Sequence, residues 1–142
     1  MSAAAPACRP RLRVVAGALR NERGEVLIAD RPAGRHLAGR WEFPGGKVGP
    51  GETDQAALER ELQEELGVRV QDSAWVMTLC HDYPERRVEL VLFDVARFDG
   101  EPQPRDGQRL KWVALAALGA EDILEADRPF IAALQQRATG SA

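Results

Sequence analysis

The sequence predicts an α/β sandwich in which a mixed sheet lies between helices. Three observations lead there. Short apolar runs with strand character alternate with two segments of helical period. The 142 residues contain neither an internal repeat nor a linker long enough to separate domains. Apolar residues make up 44% and charged residues 29% of the chain, ordinary for one globular core.

Met1 to Pro10 is Ala-rich, but Pro6, Arg9 and Pro10 interrupt it, so residues 1–10 read as a disordered tail and not a signal peptide. A single domain is expected over 11–137. Its first strand candidate is Leu12 to Leu19. Asn21-Glu22-Arg23-Gly24 reads as a turn and Glu25 to Ala29 as the return strand, together a hairpin. Arg31 to Arg40 holds Pro32, Gly34 and Gly39 and reads as a loop. Within Trp41 to Val48, Pro44-Gly45-Gly46 marks a sharp backbone feature. A helix is expected from Thr53 to Leu66, stopped by Gly67 as a C-cap. Further strands are expected at Ala74 to Cys80, Val88 to Ala96 and Leu110 to Ala114. A last helix is expected from Arg128 to Gln136, with Pro129 in its first turn, followed by a frayed tail over 138–142.

Several function classes are disfavoured. The net charge of −3 argues against a nucleic-acid polymer as partner. A small anionic substrate stays compatible with it if a metal supplies positive charge. Cys8 and Cys80 form no metal-ligand pattern and no disulfide framework, which points to a reducing, cytoplasmic setting. No apolar run approaches the ~18 residues of a membrane span.

The informative segment is GKVGPGETDQAALERELQEELGV, Gly46 to Val68. On a helix, Leu58, Leu62 and Leu66 fall within roughly an 80° arc that faces the core. Glu61, Glu64 and Glu65 occupy the neighbouring arc at i, i+3, i+4 spacing and crowd one another. Glu65 borders the leucines and should be partly buried. From Glu52 to Leu66 there are six acidic residues against one basic residue, Arg60. Helix geometry alone fits either a solvated acidic face or a face that binds a hard divalent cation such as Mg²⁺ or Mn²⁺.

The surrounding residues separate these readings. Gly46-x5-Glu52-x7-Arg60-Glu61-Leu62-Gln63-Glu64-Glu65-Leu66-Gly67-Val68 matches the Nudix box at every fixed position, so the chain resembles the Nudix hydrolases. The resemblance implies an α/β/α sandwich with a catalytic loop-helix-loop. It implies metal-binding carboxylates at Glu61, Glu64 and Glu65, with the Gly45 carbonyl as an added ligand. It also implies a Glu52–Arg60 pair that holds the loop against the helix.

The likeness extends to the MutT branch, nucleoside triphosphate pyrophosphohydrolases that remove 8-oxo-dGTP. It runs from about Leu12 to Leu134 and includes Arg31 to Lys47, Tyr83 to Arg87, Gly100-Glu101-Pro102, Asp106-Gly107-Gln108 and Trp112. Carried over by position, Arg31 and His36 are polar contacts near the nucleotide, with a solvated loop charge as the alternative for Arg31 and a hydrogen bond within the loop as that for His36. Glu42 and Phe43 line the nucleoside pocket, Phe43 partly through its backbone, with plain core packing as the alternative for its ring. Lys47 is a sugar or phosphate contact, or simply solvated. Arg86 matches a base-contacting arginine, with Arg87 beside it as a competitor.

Two positions depart from MutT. Asp106 stands where the branch has a glutamate that serves as an extra metal ligand or a base; an Asp in a turn before Gly107 is the alternative. Asp127 stands where the branch has an asparagine that reads oxidised guanine. An ionised Asp only accepts hydrogen bonds, so it favours a donor-rich edge such as cytosine's amino group, as in the CTP-pyrophosphohydrolase relatives, unless burial protonates it. It could also cap the last helix.

The expected partner is a nucleoside triphosphate, with no nucleic-acid polymer and no membrane, and the chain is expected to act as a monomer or weak homodimer. Dinucleotide or ADP-ribose hydrolysis, and a non-catalytic binding module of the same fold, are the alternatives.

Overall fold

The computed structural model describes residues 11–35 and 37–140. The tail expected over 1–10, Cys8 and His36 lie outside the described residues.

The described residues form seven strands and two helices in the order β1 (Arg11–Leu19), β2 (Glu25–Asp30), β3 (Trp41–Glu42), β4 (Gly45–Lys47), α1 (Asp54–Leu66), β5 (Arg69–Asp82), β6 (Arg87–Asp99), β7 (Leu110–Ala114) and α2 (Arg128–Gly140). Short 3₁₀ turns at Leu115–Ala120 and Glu125–Asp127, absent from the sequence reading, connect β7 to α2. The expected mixed sheet has the order β4-β1-β6-β5, and a second sheet of order β3-β2-β7 sits beside it. β1 runs parallel to β6 from Arg11↔Arg87 to Leu19↔Val95.

Strand alternation sends side chains to two cores. Val15 and Leu19 of β1, with Val91, Phe93 and Val95 of β6, pack with Leu58, Leu62 and Leu66 of α1. Ala16 and Ala18, with Leu92, pack with Phe130, Ile131 and Leu134 of α2 on the opposite face. The three leucines of α1 are fully buried, as the 3.6-residue period requires. Gly17 faces α1, where an added Cβ would lie 3.2 Å from Leu58, Leu62 and Val95. Its missing side chain lets the helix settle close to β1.

Three expectations need correction. The β1–β2 hairpin does not form a ladder: only the isolated bridge Arg20↔Val26 joins these strands. Both edges of β1 are already taken, by β4 and β6. The turn itself exists, with Asn21 Oδ1 accepting the Arg23 and Glu25 amides at 3.0 and 2.9 Å. β5 is longer than its apolar stretch because pairing with β6, broken by bulges, carries its polar ends into the sheet. The last helix continues to Gly140 instead of fraying after Arg137, since no helix breaker precedes that glycine. No described helix is long and apolar enough to cross a membrane.

Candidate active site

The first turn of α1 is fixed twice. Thr53 Oγ1 accepts the Ala56 amide at 3.1 Å as an N-cap. Arg13 of β1 grips Asp54 through Nε and Nη2 at 2.7 and 2.6 Å and reaches Glu89 at 3.0 Å. The helix therefore has a set position on the sheet before any site residue is reached.

The loop before α1 approaches so closely that only glycine fits. A Cβ on Gly45 would lie 1.9 Å from the Val15 carbonyl, and one on Gly46 would lie 2.2 Å from the Glu61 carboxyl carbon. Glu52 then ties the loop. It accepts the Gly49 amide at 2.7 Å and takes Arg60 Nε and Nη2 at 2.7 and 2.9 Å. The Arg60 guanidinium, followed by that amide, holds the Glu52 carboxyl down at about 2. Arg60 Nη2 also donates to the Lys47 carbonyl at 2.9 Å.

Arg60 Nη1 sits between two further carboxylates, 3.0 Å from Glu61 Oε2 and 3.1 Å from Glu64 Oε1. Among the described residues, no three Asp, Glu, His or Cys side chains already converge on one point. Several carboxylates nevertheless crowd the surroundings of Glu65. Burial pushes the Glu65 carboxyl up to about 8, and the charges of Glu61, Asp106 and Glu42 add to it against a hydrogen bond from the Gly45 amide. Burial also raises Glu61, with Arg60 opposing. Four carboxylates thus act on one region, all of them hard oxygen donors suited to a divalent cation. A cation there would relieve their repulsion, and the glycine cradle places loop backbone over Glu61.

Asp106 reaches this region because its segment caps the end of α1, whose last turn carries no basic residue. The Gln103 amide donates to the Leu66 carbonyl at 2.9 Å and the Arg105 amide to Glu65 at 3.1 Å. Arg105 Nη1 donates to the Gln63 carbonyl at 3.2 Å. Gln108, buried, accepts the Asp106 amide at 2.8 Å and donates to the Glu65 carbonyl at 3.5 Å. Carbonyls that a helix C-terminus leaves orphaned are satisfied by this loop.

A second group of polar residues lies beside the carboxylates. Arg31 Nε and Nη2 donate to Glu42 Oε1 at 3.3 and 3.2 Å. Burial raises Glu42, against Arg31 and Arg35. Asp127, 7% exposed, accepts the Phe43 amide on Oδ2 at 3.2 Å. Burial pushes its carboxyl up to about 7; the Phe43 amide and Arg31 oppose this, and Glu42 adds to it. The Phe43 ring belongs to the core, 6.3 Å from the Phe130 ring, while its backbone faces Asp127. Asp127 lies in the 3₁₀ turn just before α2, but it reaches across the fold to Phe43.

Two residues are not brought to this cluster. Lys47 is exposed on β4. Arg86 is exposed in the β5–β6 turn, at the Arg11 end of β1, whereas Gly45 pairs with Ala16, roughly 15 Å further along. Its neighbour Arg87 is held by Asp82 at 2.9 Å. The sequence reading passed over Gln108, Arg105 and Arg109. Gln108 stands beside Asp106 in a segment singled out for resemblance, and its burial is the signal that the residues alone withheld.

Comparison with known proteins identifies the family. The NUDIX domain family model matches residues 10–134. The 8-oxo-dGTP diphosphatase of Escherichia coli is 40% identical over 126 residues, 89% of this chain and 98% of that protein. The CTP pyrophosphohydrolase of the same organism is 35% identical over 122 residues, 86% and 90% of the two chains. The solution structure of the E. coli ORF135 protein superposes with a TM-score of 0.83 at 33% identity, covering 92% of each chain. With the box residues gathered on one loop and one helix, and the family model spanning nearly all of the described fold, the chain belongs to the Nudix family.

Proposed function

We propose that the chain is a metal-dependent pyrophosphohydrolase that converts 8-oxo-dGTP to the monophosphate and pyrophosphate. One observation carries the reading: the short stretch from Phe43 to Gly46 meets both groups, its Phe43 amide donating to Asp127 at 3.2 Å and its Gly46 packed over the Glu61 carboxyl. The carboxylates of the box and a buried carboxyl able to read a base therefore share one site.

The Gly45 carbonyl, Glu61, Glu64 and Glu65 would hold Mg²⁺, or Mn²⁺ in its place, with Asp106 adding a contact directly or through water. When bound, the metal neutralises triphosphate charge and makes a water acidic enough to react. Arg60, anchored by Glu52, orients Glu61 and Glu64. One of these two, or else Asp106, takes the proton of the attacking water. The water oxygen bonds to one phosphorus of the α–β anhydride as the bridging P–O bond breaks, and the phosphate group on the other side of the bridge leaves with the bridging electron pair, giving monophosphate and pyrophosphate. Arg31, Glu42 and the Phe43 backbone line the nucleoside side, beside Asp127.

Asp127 supports the oxidised-guanine reading because burial brings it to about 7. A neutral carboxyl donates and accepts, as the asparagine of the MutT branch does. A second reading rests on the same residue: in its ionised form it only accepts, which suits the amino group of CTP or 5-methyl-dCTP. A panel of 8-oxo-dGTP, dGTP, CTP, 5-methyl-dCTP and ADP-ribose tests both. The expected result is the highest kcat/KM for 8-oxo-dGTP and none without metal. A preference for the cytosine nucleotides overturns the first reading in favour of the second.

A further inference from the structure

Asp30 is a buried carboxylate that none of the roles above uses. It is 6% exposed at the end of β2. Oδ1 accepts the Arg109 amide at 2.6 Å, Oδ2 accepts Arg109 Nε at 2.6 Å, and the Asp30 amide donates to the Arg109 carbonyl at 3.0 Å. The last backbone pair of the β2–β7 ladder is Ala29↔Leu110. Asp30 therefore extends that ladder by one residue with its side chain, toward Asp106. The Arg109 guanidinium lies 5.4 Å over the Trp41 ring, which also carries Lys111 Nζ at 4.5 Å, and Trp41 pairs with Asp30.

This clamp matters because of what it ends. The segment from Gln103 to Arg109 is stapled to the last turn of α1 before Asp106, through Gln103 and Arg105, and more loosely after it, through Gln108 at 3.5 Å. Its far end is held by Asp30. Asp106 lies between the two staples, and the Asp106 amide is bonded to Gln108, next to the clamped Arg109. We infer that Asp30 is a positioning residue: by gripping the backbone and side chain of Arg109 it holds Asp106 against the metal-binding carboxylates. This rests on Asp106 contributing to the metal site, as proposed above.

The test is Mn²⁺ binding to the full-length, metal-free protein, read by the electron paramagnetic resonance of free Mn²⁺. The proteins are the parent, Asp30→Asn, Asp106→Asn and the double variant, each checked for fold by circular dichroism. Asp30→Asn places an amino group opposite Arg109 Nε and should weaken Mn²⁺ binding roughly 10-fold, in the range for residues that orient metal ligands. In the Asp106→Asn background the same change should have little further effect. Should Asp30→Asn fail to fold, Arg109→Met removes the guanidinium arm from the exposed side and should weaken binding in the same direction. Parent-like affinity in a folded Asp30→Asn or, failing that, in Arg109→Met overturns the inference, as does an undiminished loss in the Asp106→Asn background. If Asp106→Asn itself binds Mn²⁺ like the parent, the ligand role of Asp106 falls and this inference with it. If Asp106→Asn binds weakly while Asp30→Asn does not, only the positioning role falls.

Discussion

The loop-helix unit from Gly45 to Gly67 and the wall opposite it are built in different ways. In the first, partners lie close in sequence: Glu52 with Arg60, Arg60 with Glu64, Gly46 over Glu61. In the second, Phe43 meets Asp127 across 84 positions and Asp30 meets Arg109 across 79. The first unit can be specified by a short motif because helix periodicity and one loop determine it. The second depends on how the two sheets and α2 meet, so no short motif specifies it. Under the function proposed above, this contrast divides the work: the carboxylate helix would act on the phosphates, and residues from distant segments would read the base.

The comparison can be broken most sharply at the helix. Glu64→Gln should cut kcat by roughly 10²–10⁴-fold, the range for losing a general base or an equivalent catalytic group, with the circular dichroism spectrum unchanged. Full turnover in that variant would remove the helix from the chemistry. Gly46→Ala should follow, with kcat down roughly 100-fold because a 1 Å misplacement of a reacting group has such a cost. Its added Cβ would lie 2.2 Å from the Glu61 carboxyl carbon, so Glu61 or the loop must move.

On the opposite wall, Asp127→Asn should leave phosphate chemistry in place and raise the preference for 8-oxo-dGTP over CTP, measured as a ratio of kcat/KM values. Stability provides a second check. The Asp127 carboxyl stands at about 7 in the fold against an ordinary 3.8. A raised folded pKa contributes stability that is complete below the unfolded value and is lost as pH rises through about 7. The parent should therefore lose ground to Asp127→Asn between pH 5 and 8, by roughly 2–3 kcal/mol in denaturant unfolding. A constant gap between the two proteins across that range would contradict a buried, protonated Asp127. The smallest effect is expected at the helix start: Thr53→Ala should cost about 1 kcal/mol of stability through the lost cap and leave Mn²⁺ affinity in place.

Much of the first region was legible from residues alone. The helix from Thr53 to Gly67, its buried leucines and the half-buried position of Glu65 all follow from one period. The Glu52–Arg60 contact was readable from the family motif. Adjacency in sequence predicts a β1–β2 hairpin, whereas β4 and β6 occupy the edges of β1, a competition that leaves no local trace. Phe43 shows the same limit in one residue. Its ring and its backbone have different roles, and only the fold separates them.

By itself, then, the sequence determined the α/β class, the acidic helix and the glycine loop that meets it, because each depends on short-range periodicity and on backbone sterics. Only the tertiary structure decided that Glu42 lies within electrostatic reach of both Glu65 and Asp127, that Asp127 is buried enough to hold its proton near neutral pH, and that Gln108 and Asp30 fix the segment carrying Asp106. Those facts depend on burial and on charges from distant segments, which no local pattern encodes.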